Sequence, residues 1–169
     1  MGVLRTNRYR DAWCGEVMPE RVGERLRVAG WVHRRRDHGG LVFVDLRDRS
    51  GIVQVVFNPE SAPEAHARAH ELRSEWVISA EGEVVRRSDE TINRDLPTGE
   101  VEIRAADFEV LAEAATPAFP LDEETPVEEA LRLQHRYLDL RRQPMLRSLT
   151  LRHRTNLAIR ECLDGLGFL

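Results

Sequence analysis

Lysine is absent from the 169 residues, so all 25 basic residues are arginine, set against 29 acidic ones. A GC-rich coding bias accounts for this without any appeal to phosphate binding. The net charge of −4 and a pI near 5.9 exclude a generic polyanion-coating protein. Any nucleic-acid contact must then come from a local basic patch on an acidic body. Cysteine is scarce too: Cys14 and Cys162 stand far apart, in no CxxC or Cys/His spacing. That excludes a disulfide framework and a zinc site, and it fits a reducing cytoplasm. No apolar run approaches the roughly 20 residues needed to span a bilayer, and the charged start through Asp11 lacks the apolar core of a signal peptide. A soluble, cytoplasmic protein without a membrane partner is expected.

What is present is enough hydrophobic material, 41% of the residues, for one packed domain and part of another. Alternation predicts strands near 25–35, 40–47 and 51–57, a helix near 62–73, and strands near 76–87 and 99–111. Turn formers sit at Asp37-His-Gly-Gly40 and Asp48-Arg-Ser-Gly51. The order β-β-β-α-β-β predicts a mainly β fold: a five-stranded OB-fold barrel with one helix between strands 3 and 4. Thr91 to Gly99 is predicted to be an exposed loop between the last two strands. From Ala112 both periodicities fade and prolines enter, which marks a linker. Thr125-Pro-Val-Glu128 predicts a capping box opening a helix through about Arg141. A second helix after Pro144 carries Thr155, Ile159, Cys162, Leu163 and Leu166 on one side. The C-terminal segment is thus helical, and the chain is expected to be a fragment of a longer protein.

The functional signal lies in the second and third strands. Val42, Val44 and Leu46 must share the buried face, which leaves Phe43 exposed on the other with Asp45 and Arg47. An outward phenyl ring beside guanidinium groups can stack an unpaired base. In the next strand Val53, Val55 and Phe57 are the apolar set, so Gln54 shares a surface with Phe43, its amide able to donate to and accept from a base edge. These are the strands that carry the binding face of an OB-fold. Strand geometry cannot aim Arg34, Arg35 and Arg36 the same way; Arg36 is the expected RNA contact, with another of the three paired near Asp37 or Asp48. His66 and His70, four apart on a helix without a carboxylate or cysteine companion, are expected to be a solvated face.

The segments Trp31-Val-His-Arg-Arg-Arg-Asp-His-Gly-Gly40, Val44-Asp-Leu-Arg-Asp48, Ile52-Val-Gln-Val-Val-Phe57, Ile92-Asn-Arg-Asp95, Thr98-Gly-Glu-Val-Glu102 and Arg136-Tyr-Leu-Asp-Leu-Arg-Arg142 together resemble the bacterial aspartyl-tRNA synthetases, class IIb enzymes, over nearly the whole chain. The resemblance implies an anticodon-binding OB-fold domain over residues 1–112, a hinge over 113–124, and the helical start of a class II catalytic domain over 125–169. It implies that Phe43 stacks on the middle base of a G-U-C anticodon and that Gln54 hydrogen-bonds that base. By the same likeness Arg36 meets the third base, Glu102 lies near the first, and Arg87 meets the anticodon stem-loop. Val85 stands where relatives often carry arginine and Thr91 where some carry asparagine, so contacts there are expected to be lost, to shift to Arg86, or to be made by the Thr91 hydroxyl. His38 before Gly39-Gly40 resembles the version of this turn in synthetases that also charge tRNA(Asn).

The implied parent reaction is ATP-dependent activation of aspartate, assisted by magnesium, and its transfer to tRNA(Asp) by a homodimeric ligase. This chain shows no glycine-rich phosphate loop and no Ser/His/Asp ordering. It is expected to bind tRNA without cofactor or catalytic residue of its own. A freestanding OB-fold module for single-stranded nucleic acid, and a class IIb synthetase for asparagine or lysine, remain open beside this reading.

Overall fold

Periodicity of two turns directly into burial in β2 (Leu41–Arg47), where Val42, Val44 and Leu46 are fully enclosed and the residues between them are only partly covered. The structure is a computed structural model and describes residues 7–121 and 125–169. Residues 1–6 of the charged start and 122–124 of the expected linker lie outside the described residues. The other strands are β1 (Arg25–His38), β3 (Ile52–Phe57), β4 (Val77–Arg86) and β5 (Val101–Ala112), with the short helix α1 (Pro63–Ala69) between β3 and β4. They close in the order β1-β2-β3-β5-β4. All pairings are antiparallel except β3 with β5, which run parallel through Val55↔Ile103 and Val56↔Arg104.

The barrel is filled by small branched side chains, including Val28, Val32, Val44, Val55, Ile78 and Ile103. Phe57 meets Phe108 edge to face at 5.1 Å between ring centres. Helix α1 is shorter than the apolar pattern predicts, because after Ala69 the backbone tightens to bonds from Glu71 N to Arg68 O and from Leu72 N to Ala69 O. Leu72 is still buried, so its place in the pattern comes from a turn packed on the barrel rather than from helix. At the β2–β3 turn the buried Asp48 carboxylate accepts from Ser50 N and from Cys14 N, at 2.7 and 2.9 Å. Burial, then the Asp48 charge, pushes the Cys14 thiol well above its ordinary pKa and leaves it unreactive.

The chain divides into two compact units between Thr116 and Pro117. In the second, three helices follow one another: α2 (Glu129–Gln134), α3 (Arg136–Asp139) and α4 (Gln143–Gly165). The capping box expected from Thr125 to Glu128 does not form. The helix starts at Glu129, and Glu128 occupies the N-cap position with no side-chain hydrogen bond. Nor does it run unbroken to Arg141, since His135 leaves helical geometry at φ −111° and ψ 49°. The break lets the fully buried Asp139 accept hydrogen bonds from Arg132 and Arg136, which hold its carboxyl below the ordinary range. Phe119, Leu121 and Leu138 form a small core there. Ile159 and Leu163 in α4, and Leu166 just past its end, are exposed.

β1 crosses β2 closely at Gly30, where an added Cβ would lie 2.3 Å from the Arg47 carbonyl oxygen. Gly30→Ala is expected to cost on the order of 1–3 kcal/mol through this overpacking. Denaturant unfolding should show a lower midpoint at unchanged slope.

Candidate nucleic-acid interface

From Leu26 to Val32 the even residues of β1 face the core. Simple continuation would send Arg34 and Arg36 inward as well. Pairing with β2 passes instead from Val32↔Leu46 to Arg34↔Asp45, leaving His33 as an extra residue, a β-bulge. Beyond it Arg36 stands opposite the outward Phe43, and Arg35 opposite the inward Val44. Arg35 reaches the His70 carbonyl and Asp37, the latter at 3.3 Å, so it is the arginine of the triplet that pairs near Asp37. The bulge is held from one side: Arg47 donates to His33 Nδ1 at 2.8 Å and to Glu75 Oε1 at 2.7 Å, while Glu75 N donates to the Val32 carbonyl at 2.7 Å. Arg47 and Glu75 are nearly enclosed, and Glu75 adopts φ +67°, a conformation a non-glycine residue takes only under such constraint.

Flipping Arg34 and Arg36 outward completes a polar chain across four strands. Arg36 Nη2 donates to Asp45 Oδ1 at 2.9 Å and to Gln54 Oε1 at 3.3 Å. Gln54 Nε2 donates to Glu102 Oε2 at 3.0 Å, and Arg87 Nε lies 3.8 Å from the same oxygen. Arg36, Gln54, Glu102 and Arg87, singled out separately in the sequence, are thus one connected group. Gln54 departs from expectation in being 5% exposed, because both ends of its amide are engaged by its neighbours. Burial raises the Glu102 pKa, an effect that Arg87 and the Gln54 hydrogen bond only partly oppose. Arg87 Nε is buried without a hydrogen-bond partner.

Phe43 faces outward as alternation requires, but it is half-buried rather than exposed. Its cross-strand neighbours are Arg36 on one side and Val56 on the other, and side chains so paired approach closely enough to cover part of a ring. His38 is exposed at the end of β1 beside the Gly39-Gly40 turn. Thr91 is exposed in the β4–β5 connection, where its hydroxyl bonds Ser88. The end of that connection is buried, contrary to expectation: Thr98 donates to the Ile52 carbonyl at 2.6 Å, and Gly99 packs against the Asn93 carbonyl with no room for a Cβ. Arg87 lies just beyond β4 rather than within it. Sequence reasoning missed Asp45 as the partner of Arg36, because the bulge that turns Arg36 outward interrupts the alternation of β1, and it missed the His33–Arg47–Glu75 brace. Among the described residues no group of three or more His, Cys, Asp or Glu could hold a metal, and no helix is long and apolar enough to cross a membrane.

The profile of the tRNA anti-codon family, described as OB-fold nucleic acid binding domain, matches residues 26–111. The chain is 53% identical over 160 residues, 95% of its length, to an aspartate–tRNA(Asp/Asn) ligase of Geobacillus sp. (strain WCH70). It spans about a quarter (27%) of that relative. Among solved structures it is similar to asparaginyl-tRNA synthetase from Pyrococcus horikoshii bound to asparaginyl-adenylate, with TM-score 0.75 and 30% identity over 92% of this chain and 34% of that one. The aspartyl-tRNA synthetase of Entamoeba histolytica shares the fold, with TM-score 0.81 at 18% identity over 92% of this chain and 37% of that one.

A carboxyl whose folded pKa is raised contributes stability below its unfolded pKa that is lost as pH rises through the folded value. Glu102→Gln removes this component. Between about pH 4 and pH 7 the stability of the variant should therefore fall less than that of the unaltered chain. Parallel stability curves from denaturant unfolding across that range would contradict the burial of the charge.

Proposed function

Because the chain belongs to the tRNA anti-codon family of OB-fold nucleic acid binding domains, we propose that its outer face over β1, β2, β3 and β5 binds the anticodon loop of tRNA(Asp), within an aspartate–tRNA ligase of the cytoplasm. The observation that carries this is the order of hydrogen-bonding types along the polar chain. Arg36 can only donate, Gln54 donates and accepts, and ionised Glu102 can only accept. Cytosine offers acceptors at O2 and N3, uracil a mixed edge, and guanine two adjacent donors at N1 and N2. The sequence Glu102, Gln54, Arg36 thus complements G, U and C in anticodon order. Phe43, beside Arg36, supplies the apolar surface on which an unstacked base rests.

Binding exchanges internal hydrogen bonds for bonds to bases. The 3.3 Å contact between Arg36 and Gln54 is long and easily released, and burial leaves Glu102 a carboxylate short of donors. Guanine would supply those donors. Arg87, the residue that follows β4, places a guanidinium beside the same carboxylate and within reach of the stem-loop backbone. His38 and Thr91 flank the face from its two turns, and His38 is assigned to discrimination between tRNA(Asp) and tRNA(Asn). The division of the chain follows the same reading: an anticodon-binding domain over 1–112, a hinge over 113–124, and the start of a catalytic domain from 125.

ATP and magnesium would serve the reaction of the complete ligase, and its homodimer the assembly. Among the described residues no group of three or more His, Cys, Asp or Glu could hold a metal ion, and no step of activation is assigned to them.

Phe43→Ala is expected to weaken binding of a GUC anticodon stem-loop by about 1–3 kcal/mol, the size of one stacking contact, with little change in fold stability. Unchanged binding accompanied by unfolding would show that the ring is core. Tighter binding of the tRNA(Lys) stem-loop than of the GUC loop would overturn the assigned specificity. For the complete ligase, charging of both tRNA(Asp) and tRNA(Asn) is the outcome expected from His38, and absence of an asparagine-tRNA product counts against it.

A further inference from the structure

The arginines that border the outer face fall into two groups. Arg36, Arg47, Arg86 and Arg87 each lie within 4 Å of a carboxylate, on Asp45, Glu75, Glu100 and Glu102 respectively. Arg34 and Arg104 form no ion pair or hydrogen bond among the described residues, and both are exposed. Arg104 ion-pairs neither with Glu83, opposite it on β4, nor with Glu102 beside it on β5, although its charge favours the ionised form of Glu102. Charges already paired are electrostatically spent, whereas an unpaired guanidinium retains its field for an anion arriving from solution.

Their positions are not random with respect to the bases. Arg36, Phe43, Val56 and Arg104 form one cross-strand row through β1, β2, β3 and β5, and Arg34, Asp45, Gln54 and Glu102 form the adjacent row. Arg34 therefore stands at the β1 border of the polar chain and Arg104 at its β5 border. Between them lie three strand spacings, roughly 14 Å. Arg104 also stands on the rim of a concavity of about 340 Å³ shared with Arg25, Ser61 and Glu83, so the surface continues beyond β5 as a trough.

We propose that Arg34 and Arg104 hold phosphates of the bound strand on either side of the base-reading residues, so that the RNA backbone, followed 5′ to 3′, enters over the trough beside Arg104 and runs across the strands from β5 to β1. This rests on the anticodon reading above and adds the direction and the electrostatic anchors of the bound strand. Such contacts position the RNA without reading it, so their removal should weaken correct and altered anticodons alike.

The test is the salt dependence of stem-loop binding by the 169-residue chain. Arg104→Gln and Arg34→Gln, both at exposed positions, should each flatten the slope of log K against log salt by about 0.7, and the double variant by twice that. Each should lower affinity several-fold at low salt, equally for a GUC loop and for a loop with its middle base changed. Arg152→Gln, on α4, should alter neither. Slopes equal to that of the unaltered chain, with Phe43→Ala still weakening binding, would overturn the backbone path and leave the anticodon reading standing. No binding by the unaltered chain at low salt would overturn both.

Discussion

At His33 the first strand holds one residue more than the strand it pairs with, and everything on the outer face follows from that extra residue. It converts a stretch that would aim Arg34 and Arg36 into the core into one that aims them at solvent. The conversion must be stabilised, because a bulge forfeits ladder bonding and shifts every later side chain. Arg47 and Glu75 supply that stabilisation as a nearly enclosed ion pair that also bonds the His33 ring. Removing one member of such a pair strands the other, at a cost of about 3–5 kcal/mol. The brace and the face are therefore coupled. Weakening Glu75 would disturb the register that Arg36, three residues past the bulge, depends on.

Once Arg36 faces outward, it neutralises Asp45 and orients Gln54, which in turn donates one hydrogen bond to Glu102. Arg36, Asp45, Gln54 and Glu102 are each held by a neighbour before any ligand arrives, so little ordering remains to oppose binding. The face nevertheless keeps three capacities for exchange. One is a long Arg36 to Gln54 contact, the second a carboxylate whose charge is strained by burial, and the third a half-covered ring. A net acidic chain can host such a site because the positive groups lie together and most of the acidic excess lies elsewhere.

Alternation alone assigns the inward sets of β2 and β3, and hence Phe43 and Gln54, because a residue period of two translates into side with no tertiary information. The chain order of five strands with one helix after the third is legible from hydrophobic periodicity, with turn formers separating the strands. The bulge is not legible, since an extra residue in a polar run leaves no break in an apolar pattern. The burial of Gln54 is not legible either, because it depends on Arg36 and Glu102, 18 positions before and 48 after it. In the second unit Thr125 to Glu128 has the residue types of a capping box, yet the helix begins after it and breaks at His135. There the enclosed Asp139, bonded by two arginines, outweighs local capping propensity.

Amide chemical-shift mapping of the chain, titrated with a GUC anticodon stem-loop, tests the central claim most directly. The expected result is a continuous set of perturbations over Arg36, Phe43, Gln54 and Glu102, weakened throughout when the middle uracil is replaced. The contradicting result is perturbation confined to another aromatic and basic surface, the concavity of about 350 Å³ around Tyr9, Trp13 and Trp31, where Arg10 and Arg49 stack on the Trp13 ring.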